Sequence, residues 1–280
     1  MSRWLFAPAP LARVAVLRLL VYGFVPVDVL LTTTYIAGHG DLPASAYQPL
    51  MVGRLLHLPT PSALLVPAVE VALLLATAVA LSGRAPRLAG GAVAALYLQW
   101  MLIGMSYGKV DHDRFAFLVA LAVLPTVGAA RLGSRERSAA AGWALRCIQL
   151  AVVATYFLST IAKLRYGGWG WPNSGTLTWA LLRRGHGFAL PLLDHPELLR
   201  LAQWGIVGME LASPLLLVVP RRWQYLGVAG LVVFHLATFA TIGIIFLPHL
   251  VAMAAFLPLE RLGGLRVRVR DCVPATRVAQ

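Results

Sequence analysis

The chain has 280 residues, 59% of them hydrophobic and 12% charged, with a net charge of +13. That excludes an ordinary soluble domain, because apolar runs of about 20 residues, enough to cross a bilayer, recur from end to end. The expected fold class is all-α, a polytopic transmembrane helical bundle whose first partner is the lipid bilayer. The positive charge lies mainly in short loops, where it sets topology, so nucleic acid is not an expected partner.

Eight membrane segments are predicted, near residues 11–33, 62–82, 86–105, 115–130, 143–163, 198–219, 224–241 and 245–259. The first opens like a signal peptide, with Arg3 and Arg13 ahead of an apolar stretch. Arg18 interrupts that stretch and the hydrophobicity runs on to about Thr33, as expected of a retained helix. Cys147 and Cys272 make no disulfide framework and are read as unpaired.

Loop charges predict the orientation. Arg3, Arg13, Arg84, Arg87, Arg131, Arg135, Arg137, Arg221, Arg222 and the arginines from Arg261 onward fall on one side. They outnumber Arg54, Lys109, Arg114, Lys163, Arg165, Arg183, Arg184 and Arg200 on the other. Positive-inside logic therefore places both termini in the cytoplasm, in the plasma or inner membrane of the cell. The apolar block Gln224–Leu259, read as one helix, would put the basic tail outside. Two short helices are expected instead, broken near Thr241–Gly243 and restarted around Pro248, with the last pair open to being partly re-entrant.

Two external loops are longer than a turn. Residues 34–61 carry Tyr35, His39 and Tyr47; residues 164–197 carry Trp169, Trp171 and an amphipathic segment, Thr176–Arg184. Leu177, Trp179, Leu181 and Leu182 point to a helix lying on or dipping into the membrane surface, and tryptophan at this level fits an interfacial belt.

Arg18, Asp28, Glu70, Glu210 and His235 fall within spans and form an expected intramembrane polar network. Each costs about 2.5–3.5 kcal/mol at mid-membrane, against roughly 6–12 kcal/mol gained by a leucine-like span. They either pair inside the bundle, for instance a glutamate with Arg18 or His235, or mark a functional interior. On the fifth span Arg146, Gln149, Tyr156, Thr160 and Lys163 fall within one arc at 100° per residue, so a cavity or a polar interhelix contact is expected along it.

That stripe ends on one of only two lysines, Lys109 and Lys163, among 24 basic residues. Where charge alone is wanted, arginine is this chain's habit. Arginine keeps its proton, whereas a lysine amine can give its own up, so Lys163 points to acid–base chemistry. The alternative is a snorkelling interfacial cation. On the same side, Asp111-His112-Asp113 places an imidazole between carboxylates that can orient it for proton transfer, or else caps the fourth helix through Asp111 or Asp113. No metal is expected, since no HxxxH or HExxH spacing occurs.

Several of these segments together resemble the HTTM (horizontally transferred transmembrane) domain family, which includes the membrane part of vitamin K-dependent γ-glutamyl carboxylase. They are Arg18…Gly23…Asp28, Asp111-His112-Asp113, Tyr156-Phe157…Ala162-Lys163-Leu164…Trp169, Glu210…Pro214, Phe234-His235 and Gly243-Ile244…Phe246. The resemblance implies one HTTM-like domain over residues 1–263, a short basic cytoplasmic tail over 264–280, and an active centre open to the non-cytoplasmic side. It implies Lys163 as catalytic base and His112 as a second catalytic group. Asp111, Asp113, Tyr156, Thr160, Trp169 and His235 are the implied contacts to a reduced quinone, a vitamin K- or menaquinol-like co-substrate. Asp111 stands where the carboxylase carries Asn in an Asn-His pair.

The chain ends shortly after its last span, so no C-terminal extramembrane region that engages a peptide is expected. Peptide carboxylation is accordingly not the expected activity unless a separate soluble partner supplies that region. Oxygen-dependent chemistry on a quinol or lipid-like molecule survives the objection. The rival class is a transporter using Glu70, Glu210 and His235 as a proton or solute path, or a subunit anchoring a partner, although no paired halves with matching broken helices occur. A quinone-binding redox partner is a third class, with no haem, flavin or cysteine motif to carry electrons.

Overall fold

The computed structural model describes residues 2–262. The stretch expected as a cytoplasmic tail, 264–280, with Cys272, lies outside the described residues. Among the described residues the protein is all-α apart from one two-residue antiparallel pair. Strand β1 (Ala9–Pro10) meets β2 (Arg137–Ser138) with Ala9 opposite Ser138.

The main helices are α1 (Leu11–Val27), α2 (Leu65–Leu81), α3 (Pro86–Met105), α4 (Phe115–Val123), α5 (Ala139–Gly167), α6 (Thr176–Arg184), α7 (Pro196–Ala212), α8 (Arg221–Ile242) and α9 (Leu247–Met253). Four stretches are long and apolar enough to cross a membrane: Leu11–Thr32, Pro86–Met105, Ala139–Asn173 and Arg221–Ile242. The other expected spans are helical but shorter, and three of them pass into 3-10 turns, at Leu124–Val127, Ser213–Leu217 and Ala254–Phe256. Pro125 and Pro214 sit at the first two of these transitions, where a missing N–H interrupts the α-helical ladder. The break foreseen in the last apolar block is present. α8 ends on Gly243, left-handed at φ 66°, and α9 restarts with Pro248 in its first turn.

The described residues fall into two compact units: those up to Ile148 with residues 257–262, and Gln149–Phe256. In the first unit, α1 buries Val14, Leu17, Val21 and Val25, one face at helical spacing, and Leu73, Val93, Trp100, Phe117 and Leu121 are buried in the same unit. Its other face exposes Leu19 and Leu20, and α8 in the second unit exposes Val233, Leu236 and Phe239. Large apolar residues left outward on such helices are what lipid contact requires. Arg13 makes a two-pronged ion pair with Glu260, 2.7 Å on each prong, and the guanidinium's hydrogen bonds hold that carboxyl below the usual range.

α1 does not end in an α-turn. Pro26 lacks the N–H that its fourth predecessor's carbonyl would accept, and the helix widens into a π-turn over Asp28–Thr32, closed by Thr33 N–H donating to the Asp28 carbonyl at 2.8 Å. This turn presents the Asp28 carboxylate and two threonine hydroxyls together.

The β1–β2 link draws the N-terminal segment over the start of α5. Arg137 Nη2 donates to the Pro8 carbonyl at 2.6 Å, and the Arg146 guanidinium lies 4.5 Å above the Trp4 ring. Beneath it, any Cβ at Gly142 would collide with the Ala7 backbone, which has no rotamer to give way. Gly142→Val is therefore expected to cost about 1–3 kcal/mol by overpacking, read as a lowered Tm in detergent; an unchanged Tm would show that this contact is absent.

Candidate functional site

Each unit holds one buried polar cluster. In the second unit the cluster grows from α5, whose stripe of polar residues meets a partner at every step. Gln149 Nε2 donates to the Ala255 carbonyl at 2.9 Å. The Tyr156 hydroxyl lies 2.6 Å from His235 Nε2 and 3.4 Å from Met253 Sδ, with the His249 ring edge-on to the Tyr156 ring at 4.8 Å. One turn further, Thr160 donates a short hydrogen bond to Glu210 Oε2. The stripe then ends on Lys163, whose Nζ is 2.6 Å from both Glu210 oxygens and 2.8 Å from Ser159 Oγ.

The two ends of this ion pair differ in surroundings. The Glu210 side chain is 7% exposed and that of Lys163 is 20% exposed. The carboxylate is thus inside and the amine at an opening. The Trp171 ring lies 5.2 Å from Nζ, on the short 3-10 helix that follows α5. Gln203 of α7 fixes that segment, donating to the Trp171 and Ser174 carbonyls at 2.9 and 3.0 Å and accepting from Leu177 N–H at 2.8 Å. Trp169 is exposed and stacks on Trp204, ring centres 6.1 Å apart, while Trp204 donates to Asn173. The segment Thr176–Arg184 is the helix α6; Leu181 packs with Ala189, Leu199 and Ile242, and Trp179 and Leu182 face outward.

In the first unit the cluster is built on the π-turn. Asp28 is fully buried and saturated. Tyr97 donates to Oδ2 at 2.7 Å, Thr32 donates a short bond to Oδ1, and Arg114 Nη2 reaches Oδ1 at 3.2 Å. Trp100 Nε1 donates to Thr33 Oγ1, which itself bonds the Asp28 carbonyl oxygen. Arg114 also faces Asp113 at 3.3 Å and Asp111 at 3.6 Å. Neither aspartate caps the fourth helix: no side-chain cap bond is made at the start of the 3-10 turn His112–Arg114 or of α4. Asp111 instead accepts from Tyr35 at 3.1 Å and pairs with Lys109 at 2.7 Å. Burial pushes its carboxyl up, but the Lys109 hydrogen bond and the Arg114 charge outweigh that and hold it below the usual range. Burial and the same carboxylate push the Tyr35 hydroxyl up to about 12. His112 is exposed between these two buried aspartates, and His39 stacks flat on Tyr107 with ring centres 4.4 Å apart.

Of the residues expected to act, Tyr156, Thr160, Lys163, Glu210 and His235 therefore share one cluster in the second unit. Asp28, Asp111 and Asp113 share the other. Arg18 and Glu70 join neither. Arg18 donates from Nη1 to the Gly128 carbonyl and from Nη2 to that of Leu124, both at 2.6 Å, rather than pairing with a glutamate. Glu70, half-buried on α2, makes no hydrogen bond or ion pair among the described residues. Tyr97, Arg114, Ser159 and Trp171 are site residues that sequence reasoning missed. Ser159 was signalled by lying one turn before Lys163.

Among the described residues no group of three or more histidine, cysteine, aspartate or glutamate side chains is placed to hold a metal ion. What fold and site define together is an all-α membrane protein with a buried carboxylate paired to a partly exposed amine near the end of its longest helix. Comparison with models of protein families, with curated proteins and with solved structures finds no match to the chain.

Proposed function

We propose that the protein is an integral membrane enzyme of the HTTM/carboxylase-like group, in which Lys163 and Glu210 form an acid–base pair acting on a hydrophobic quinol or similar lipid-like molecule. The observation that carries it is Lys163 Nζ held 2.6 Å from both Glu210 oxygens at a partly open site beside Trp171. A static ion pair is better served by arginine, whose fork matches a carboxylate and which this chain uses almost everywhere else. A lysine there adds the capacity to move a proton. In the proposed step the Lys163 ammonium passes its proton to the Glu210 carboxylate 2.6 Å away, leaving a neutral amine and a neutral acid.

That neutral amine then takes the proton of a substrate hydroxyl presented at the Lys163 opening, and leaves a quinolate. The Thr160 hydrogen bond and the Lys163 contact hold the Glu210 carboxyl in place throughout. With oxygen as co-substrate, quinol plus O2 gives quinone epoxide plus water, one oxygen atom entering the ring. Trp171, and the exposed face of Trp169, are suited to stack on a flat quinol ring. Tyr156 with His235 lies about two turns deeper than Lys163 along the same stripe and is assigned the inner wall. His112, with Asp111 and Asp113, enters as a relay or positioning group through the family resemblance. The active side is taken as non-cytoplasmic and both termini as cytoplasmic, supported by the arginine-rich loops. A separate soluble protein is the candidate partner if a peptide is also carboxylated.

The test is consumption of reduced menaquinone or vitamin K by the purified protein in oxygenated detergent, followed optically. Consumption above autoxidation, lost in Lys163→Ala, is the expected result. The opposing result is a solute or proton flux in proteoliposomes that depends on Glu70 or Glu210 and ignores Lys163; that would make the protein a transporter.

A further inference from the structure

A cavity of about 370 Å³ opens in the first unit between α1, the turn from α2 to α3, and the residues after α4. That volume is within the range of small-molecule sites, roughly 300–1,000 Å³. The charged residues on its wall are Arg18 and Arg131, both cations. Arg18 is 8% exposed and, among the described residues, has no carboxylate at ion-pair distance. Its two terminal nitrogens are held by the Gly128 and Leu124 carbonyls, and its Nε has no partner. Those carbonyls close a helical C-terminus, so they offset part of the charge through the helix dipole but leave no counter-anion.

One turn along α1, Tyr22 is part of the same wall, and its hydroxyl is buried without a hydrogen-bond partner. A donor left unsatisfied next to an uncompensated cation is the arrangement an anion with several acceptor oxygens would complete. Arg131 is exposed at the rim, and the Arg87 guanidinium packs beside Gly128, adding positive charge around the opening. Ala15 and Leu19 continue the wall as apolar surface, and Leu19 is 44% exposed on the face of α1 that looks outward. A molecule fitting both parts has a charged head and an apolar tail.

We propose that this cavity binds a phosphate-bearing anion, with the phosphate on Arg18 and Arg131 and, where the ligand is an acidic phospholipid, its chains leaving along Leu19. The site is independent of the Lys163 centre and stands whether or not the chain acts on a quinol. The loop that frames it also carries Arg135 and Arg137, which an anionic membrane surface attracts.

The test uses the full chain in neutral detergent, with binding of dihexanoyl-phosphatidylglycerol, uncharged dihexanoylglycerol and inorganic phosphate read by native mass spectrometry and by Tm. The phospholipid is expected to bind and raise Tm where the uncharged lipid does not. Arg131→Glu at the rim is expected to weaken binding by about tenfold or more, and Ala130→Trp, which fills the mouth from a half-buried wall position, to abolish it. Arg84→Glu, equally exposed but off the wall, is expected to leave it unchanged, separating the cavity from general surface charge. These variants leave the buried Arg18 intact, so a folding failure there does not enter. Inorganic phosphate that competes with the lipid assigns the site to a free anion; phosphate that does not compete assigns it to a headgroup. Phosphatidylglycerol binding no better than the uncharged lipid, or untouched by Arg131→Glu and Ala130→Trp, or weakened equally by Arg84→Glu, would overturn the proposal.

Discussion

Lys163→Arg is expected to fold as the wild type does and to lose quinol turnover by about 10²–10⁴-fold, the range that a positioned general base contributes. The guanidinium can still reach Glu210 and preserve the buried charge balance, so the helix packing has no reason to change. What is lost is only the proton, which arginine does not release. Lys163→Ala and Glu210→Gln are blunter instruments. The first strands a buried carboxylate, which costs about 3–5 kcal/mol, and the second removes the acceptor that would free the amine. A fully active arginine variant would mean that position 163 needs a charge and nothing else.

The second large effect is structural. Asp28→Leu is expected to destabilise the protein by about 3–5 kcal/mol, because it leaves Arg114 against only the more distant Asp111 and Asp113 and strands the Tyr97 hydroxyl. Arg114→Leu should do the same by leaving three carboxylates crowded together. The double variant is expected to lose clearly less than the sum, since the two residues belong to one network. Tm values of the four proteins in one detergent form the cycle; simple additivity would show that the contact at 3.2 Å contributes no coupling.

Much of the architecture was legible in the chain. Each of the eight apolar stretches is helical, since hydropathy over about 20 residues reports helix formation in lipid directly. The break at Gly243 and the restart at Pro248 were legible because glycine and proline act on the backbone whatever surrounds them. Helix lengths were less so: the shortened α4 and α7 follow from Pro125 and Pro214, which composition windows average away. The β1–β2 pair is too short to show a period.

The stripe on α5 was legible as well, because 3.6-residue geometry places Gln149, Tyr156, Thr160 and Lys163 together regardless of what they face. Their partners were not. Glu210 stands 47 positions from Lys163, and Arg114 stands 86 from Asp28, separations that only the packed helices close. A glutamate partner for Arg18 was only one of the alternatives the sequence left open; helix-end carbonyls hold Arg18 instead, and backbone acceptors leave no mark in a sequence. Glu210 was visible as an intramembrane charge, but nothing in its own segment named a lysine as its partner.

Proton-transfer chemistry on a quinol is the role proposed for the Lys163–Glu210 pair. It is tested most directly by giving purified protein reduced menaquinone under ¹⁸O₂ and analysing the product by mass spectrometry, with Lys163→Arg alongside. Quinone epoxide carrying one ¹⁸O from the wild type, and none from the arginine variant, is the predicted result. Unlabelled quinol or plain quinone from both proteins, each shown to be folded, would contradict it.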